Sequence, residues 1–342
     1  MREIKPNKKN IFSKFFIKIC RFFRFEIIDQ SNFTAPVSNK SLNESLSVPG
    51  KRSITLPLGE IKITRKVKSF DVILRTCMTV NMLTQSKKRI FEKEKEEYTK
   101  RTLVSIIKSI NHAKIKFKET KFKIYVIDHN SQNDQMNMLK NILNNSQIDF
   151  EINTLNFNRY SKEIKKINEE NKEVTSNQKS NMSNIHQSII LSKEKCEDLT
   201  YFVEDDYLHK LNAVSEILFA YEKFSSLFNN ELIICPTDYP YLYTGTNDTK
   251  VFMGENRHWR KIDQTLCSFV MSKKIINNYY EELISMCKFE HYPFEKPLHN
   301  IYKKELCISP IPSLSVHFTN INSIYGLSPN VDWKKLWEEN ES

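Results

Sequence analysis

Residues 199–208 read Leu-Thr-Tyr-Phe-Val-Glu-Asp-Asp-Tyr-Leu. The apolar run of Leu199, Tyr201, Phe202 and Val203 is what a strand covered on both faces of a sheet requires. It ends abruptly in three adjacent carboxylates, Glu204, Asp205 and Asp206. Charges of one sign this close repel unless something positive joins them. A divalent cation bound through carboxylate oxygens is the economical partner, and magnesium or manganese commonly takes a substrate phosphate as a further ligand. The plainer reading is an acidic turn that opens the next helix, with an aspartate as its cap. The surroundings favour the metal.

Strand-like and helix-like segments alternate on either side. Strands are expected at 69–77, 121–128 and 150–155, and helices at 87–112, 133–144 and 182–195, the last leading into the strand at 199. Residues 160–180 are polar and read as a mobile loop. Further strands are expected at 231–235 and 265–271, and a helix at 273–288. This alternation calls for an α/β fold, a mostly parallel sheet with helices on both faces. Residues 29–68 form the linker before it, with 29–52 rich in Ser, Asn and Pro. The main domain spans 69–330, and 331–342 make a C-terminal tail helix.

The formal net charge of +11 is concentrated at one end. Within residues 1–25 stand eight cations against Glu3, a net of +7, which leaves +4 for the rest of the chain. On a helical wheel Phe12, Phe15, Phe16, Ile19, Phe22 and Phe23 share one arc, with Lys14, Lys18, Arg21 and Arg24 opposite. Residues 1–28 thus read as a basic amphipathic segment suited to an anionic membrane surface; packing against the body of the protein is the alternative. No apolar run is long enough to span a bilayer, and no cleavable signal is convincing. The seven cysteines form no CxxC pair, and Cys77, Cys235 and Cys267 read as buried free thiols in a reducing compartment.

Two other strands also end in polar groups. The strand at 121–128 closes on Asp128, followed by His129, Asn130 and Ser131, and the first strand closes on Arg75-Thr76. Ligands of open α/β sheets bind outside the carboxyl ends of the strands. Asp128 is placed to accept hydrogen bonds from a nucleoside, and Arg75 to meet a phosphate or a base. Each alone reads equally as an ordinary turn or an ion pair; three polar strand ends on one edge are harder to dismiss.

The ordered pieces Leu-Arg-Thr-Cys (74–77), Val-Ile-Asp-His-Asn-Ser (126–131), Asn-Met-Ser-Asn (181–184) and Val-Glu-Asp-Asp-Tyr-Leu-His (203–209) resemble a GT-A fold glycosyltransferase. Within that fold the chain is most similar to glycosyltransferase family 2. Pro-Thr-Asp-Tyr-Pro (236–240), Arg-His-Trp-Arg (257–260) and Pro-Ser-Leu-Ser-Val-His (312–317) resemble a bacterial subgroup of such enzymes. The resemblance covers roughly residues 69–320. It implies a nucleotide-sugar site built from Arg75, Asp128, Asn130, Asn181, Glu204 and Asp205, with Arg257, His258 and Arg260 adding positive charge and Trp259 an apolar face for a sugar ring. It implies a metal held by Asp206, with Asp205 reaching the ribose or the metal, and His317 as a late ligand. The imidazole favours manganese over magnesium. For the base that deprotonates the acceptor in an inverting transfer, Glu290 is the first choice, Glu295 the second and Asp238 the third; this stretch departs from the family's usual acidic motif, and Asp263 is a further carboxylate.

The expectation is a cytoplasmic enzyme, peripheral at the inner face of the membrane. It would move a sugar from a nucleotide-diphosphate donor to a glycan or lipid-linked acceptor, in bacterial surface polysaccharide synthesis. One rival is a nucleotidyltransferase of the same fold, disfavoured because Arg-Thr-Cys-Met-Thr follows Leu74 where a glycine-rich loop would stand. The other is a non-enzymatic nucleic-acid-binding protein, disfavoured by the near-neutral core and the acidic cluster; no nucleic-acid partner is expected.

Overall fold

The computed structural model describes residues 10–25, 27, 61–80, 89–245, 249–289, 294–319 and 322–341. The chain divides into two compact units, Met1–Lys62 and Ile63–Ser342. In the first unit the described element is α1 (Ile11–Phe22), capped by Asn10, whose side chain accepts from the Ser13 amide at 2.7 Å. It stops short of the expected residue 28, with Arg24 in the left-handed region at φ 65°. Its aromatic face is exposed, Phe12 at 85% and Phe22 at 83%.

The second unit opens at Ile63, and Arg65 is tied to Asp198 and Glu231. The chain then runs β1 (Ser69–Thr76), α2 (Lys95–Lys116), β2 (Lys121–Asp128), α3 (Asn133–Asn144), β3 (Asp149–Thr154), a short α4 (Phe157–Tyr160), α5 (Ser176–Lys195) and β4 (Leu199–Glu204). These are the alternating segments the sequence announces, and β2 and α3 have the expected bounds. The expected 160–180 loop holds a short 3₁₀ turn, and α5 begins six residues early, at Ser176. Thr175 caps it reciprocally with Gln178, satisfying otherwise orphaned amides.

Beyond Glu204 the chain does not enter a helix directly. It turns back as β5 (Tyr207–His209), then forms α6 (Ala213–Phe228), β6 (Ile233–Ile234), β7 (Val251–Met253), β8 (His258–Ile262) and β9 (Phe269–Ser272). There follow α7 (Lys273–Asn278), α8 (Tyr280–Lys288), α9 (Lys296–Tyr302), β10 (Cys307–Ile311), β11 (Ser315–His317) and α10 (Trp333–Glu338).

Among the described residues the main sheet has nine strands in the order β3-β2-β1-β4-β9-β6-β10-β8-β7. Only β8 and β9 run against the rest, so the sheet is mostly parallel. Helices α2, α3 and α6 pack as one group, and α4, α5, α7 and α8 as another. Every residue of β1 is buried, as its covered position demands. Arg75 at its end pairs in register with Glu204 of β4, and Thr76 with Asp128 of β2. A separate two-stranded ladder, β5 with β11, sets His317 opposite Tyr207. That ladder carries a residue from near the end of the chain to the acidic end of β4. Among the described residues no helix is long and apolar enough to cross a membrane.

Candidate active site

A cavity of about 410 Å³ opens at the carboxyl edge of β1 and β4. Its wall includes Arg75, Asn181, Glu204, Asp205, Asp206, Glu295 and His317 from the sequence expectations, together with Arg89 and Lys95, which were not expected.

The three carboxylates are each met by a protein cation. Arg75 Nη2 stands 2.9 Å from Glu204 Oε1, and Arg75 Nη1 donates to Asn181 Oδ1 at 3.1 Å. Burial works against the Arg75 charge, but Glu204 reverses this and its pKa is raised. Lys95 Nζ lies 2.7 Å from Asp205 Oδ1 and 3.4 Å from Asp206 Oδ2. Arg89 Nη1 is 2.5 Å from the same Asp206 oxygen. Burial alone would push the Asp206 carboxyl up; Lys95, Arg89 and His317 overcome it and hold the group well below the usual carboxylate range.

Adjacent aspartates therefore have different fates. Asp205 Oδ2 also accepts from the Cys77 amide at 3.2 Å and the Thr99 hydroxyl at 3.0 Å, so both its oxygens are engaged. Protein donors thus already engage the carboxylate expected to reach the metal or the ribose. Asp206 keeps Oδ1 toward His317, whose Nε2 is 3.6 Å away. His317 Nδ1 donates to the Tyr325 carbonyl at 2.7 Å, which in the neutral ring leaves the lone pair on Nε2. The ring also stacks on Tyr207, with centroids 4.6 Å apart and planes 2° from parallel.

Among the described residues no three His, Cys, Asp or Glu side chains form a metal-binding group. Two do face each other across a gap: Asp206 Oδ1 and His317 Nε2, with the imidazole oriented by a backbone carbonyl. This pair fits a divalent ion that draws its remaining ligands from phosphate and water, as magnesium and manganese sites commonly do.

Glu295, at the amino end of α9, is the base candidate that lines the cavity. Burial, with Glu204 adding to it, pushes its carboxyl up to about 7, so it exchanges a proton near neutral pH. Glu290, the first choice from sequence, lies outside the described residues. Asp238, the third, does not line the cavity: it is fully buried, ion-paired with Arg260, and accepts from the Tyr243 hydroxyl at 2.5 Å.

The Arg-His-Trp-Arg stretch is not brought to the cavity either. It runs into β8, four strands from β4 or about 19 Å at the usual strand spacing. Arg257 donates to the Pro312 and Ser313 carbonyls, Arg260 lies 4.6 Å over the Tyr243 ring, and His258 is exposed. Trp259 corrects an expectation. It is 0% exposed and offers no face to a sugar; a Cβ on Gly254 would stand 2.5 Å from its Nε1. Asp128 lies beside the cavity rather than in its wall, accepting from Thr76 at 2.7 Å and from Ser131 Oγ at 2.6 Å and amide at 3.1 Å. Asn130, exposed at φ 60°, makes the turn that places Ser131. Cys235 and Cys267 are buried free thiols, while Cys77 is half-buried at the cavity.

Arg89 and Lys95 are two of five cations from Lys87 to Lys95, at the start of the expected 87–112 helix. One signal was present. Lys95 sits one helical turn before Tyr98 and Thr99, on the side of α2 that is buried.

No family model matches the chain, and no curated protein does. Solved structures with a distant likeness include UTP-bound UGPase from Acinetobacter baumannii (8% identity, covering 80% of this chain and 92% of that one, TM-score 0.39). Others are galactosyltransferase LgtC in complex with donor and acceptor sugar analogs (9%, 79% and 95%, TM-score 0.36) and mouse xyloside xylosyltransferase 1 in its apo form (9%, 69% and 76%, TM-score 0.37). Likeness at that distance fixes neither a reaction nor a residue's role.

Proposed function

We propose that the chain is a glycosyltransferase of GT-A type that takes its sugar from a nucleoside-diphosphate donor. The observation that carries this reading is the convergence, in one cavity at the carboxyl edge of a mostly parallel sheet, of the Asp206–His317 pair and a carboxyl group, Glu295, poised near neutrality. Ligands of such sheets bind at this edge. Asp206 and His317 would hold a divalent ion, manganese by preference because of the imidazole. When bound, that ion supplies positive charge for the departing diphosphate.

The chain's own residues account for the rest. Arg75, fixed by Glu204 and Asn181, lies in the wall as a hydrogen-bonding group for the nucleotide. Glu295 takes the proton from the acceptor hydroxyl as that oxygen bonds the anomeric carbon. The carbon–oxygen bond to the diphosphate breaks, and its electron pair leaves with the diphosphate. Attack opposite the leaving group makes the transfer inverting. The acceptor is a glycan or lipid-linked precursor of a surface polysaccharide, with α1 holding the enzyme at the inner, anionic face of the membrane.

A thermal-shift panel of nucleotide sugars, each with and without manganese, tests the reading. A bound donor raises the melting temperature by mass action, by the equivalent of about 2.7 kcal/mol at a hundred times its dissociation constant. A melting temperature that no donor moves in either condition counts against transfer.

A further inference from the structure

Residues 89–92 make a turn that L-residues rarely adopt. Phe91 and Glu92 both stand in the left-handed region, at φ 73° and 47°, where the Cβ crowds the backbone. Such strain persists only when the surroundings over-determine it, and it gathers at ligand clamps.

Here the surroundings are specific. The Ile90 amide donates to the Thr319 carbonyl at 3.2 Å, and the Tyr98 hydroxyl donates to the Ile90 carbonyl. The Phe91 ring stacks on Trp337 of α10, with centroids 4.6 Å apart. Trp337 is fixed in turn by Arg101, whose guanidinium lies 4.3 Å over its ring and donates to its carbonyl. What the turn delivers is Arg89. Its Nη1 reaches Asp206 and the Phe318 carbonyl, and the residue stands in the wall of the same cavity.

We infer that Arg89 is a phosphate-binding residue of this cavity, and that the 89–92 turn and Trp337 are the clamp that holds it in place. The inference rests on the transfer reading for the source of the phosphate, a donor's diphosphate. The chemistry is that of the guanidinium itself, a fixed fork of donors suited to phosphate oxygens. The C-terminal helix thereby becomes a positioning element of the site rather than a tail.

Titration calorimetry in manganese buffer, with inorganic pyrophosphate and with UDP, GDP, CDP and ADP, tests it on the full chain. Arg89→Gln is expected to weaken pyrophosphate at least tenfold, and the tightest diphosphate likewise, while leaving the matching nucleoside unchanged. Arg89→Lys, which keeps the charge but not the fork, is expected between the two and serves if the glutamine variant fails to fold. Trp337→Ala should reproduce part of the loss, and the double variant should lose no more than Arg89→Gln alone. Unchanged pyrophosphate affinity in both Arg89 variants overturns the assignment. Losses that multiply in the double variant overturn the clamp. Pyrophosphate binding that depends on Arg89, in a chain that prefers no nucleoside diphosphate, keeps Arg89 and removes the donor reading. A wild-type chain that binds none of these probes removes both.

Discussion

The cavity has two walls built by different means. One is the end of the long central strands, where Arg75, Glu204, Asp205 and Asp206 stand on β1 and β4 or just past them. The other returns from the far end of the chain, with Glu295 at the start of α9 and His317 on the three-residue β11. In the strand-end wall each carboxylate meets a protein cation, and both oxygens of Asp205 are engaged. The returning wall holds its chemistry in reserve, with His317 oriented by the Tyr325 carbonyl and a Glu295 carboxyl near its titration point. The difference suggests a division of labour. On the transfer reading the strand-end wall holds the donor, and Glu295 of the returning wall exchanges the proton.

The largest effect should come from Asp206, the strand-end residue that faces the returning wall. Asp206→Ala removes the partner of two buried cations and the carboxylate facing His317. Stranding buried charge in this way typically costs about 3–5 kcal/mol. The expected outcome is loss of manganese-dependent diphosphate binding by calorimetry, together with a lower chemical-denaturation midpoint. Undiminished binding would break the comparison at its hinge.

Glu295→Gln comes next. It preserves shape and hydrogen bonding but accepts no proton near neutral pH. Turnover should fall by about 10² to 10⁴-fold while donor affinity holds, because the proton moves only in the transition state. The wild-type rate should rise with pH through about 7, and the variant should lose that limb. Stability runs the other way. The folded pKa is raised, so the carboxyl contributes fully below its unfolded pKa, and that contribution is lost as pH rises through about 7. A denaturation series from pH 5 to 8 should therefore slope downward more in wild type than in the variant. Unaltered turnover in the variant would move the search to Glu290.

His317→Ala should act more mildly, since Asp206 and phosphate oxygens remain. The expected change is a weaker manganese preference over magnesium, on the order of tenfold, read by titrating each ion against diphosphate binding. An unchanged ion preference would show that the imidazole serves only to pack against Tyr207.

The two walls were unequally legible in the sequence. Strands such as β2, where an apolar run from Ile124 to Ile127 stands between Lys123 and Asp128, write their own boundaries. The second half of the sheet uses strands as short as β7, Val251–Met253, and no period can be read from three residues. Helix α6 and strands β5, β7, β8, β10 and β11 went unforeseen for that reason or because their apolar residues face all ways. The acidic end of β4 could be read as needing positive charge, but whether protein or metal supplies it depends on the three-dimensional return of Arg89 and Lys95. Trp259 failed as a sugar platform because composition marks an aromatic residue without saying which side of the sheet will cover it.

The smallest effect on the cavity, and the sharpest test of what lies outside it, is removal of residues 1–28. Arg65 anchors the entrance to the second unit through Asp198 and Glu231, so that unit keeps its own first strand and its ion pairs without the amphipathic segment. Turnover on a water-soluble acceptor should stay within about twofold of wild type, since no residue in the cavity wall is touched. Sedimentation with anionic vesicles should be lost, because each near-surface cation contributes about 1 kcal/mol and the exposed phenylalanines of α1 supply the apolar contact. Raising the salt concentration should weaken binding of the intact chain in the same assay, as screening reduces the electrostatic share. Vesicle binding that survives truncation would place the membrane contact on the second unit, while a truncated chain that does not fold would mean that the aromatic face of α1 packs against protein.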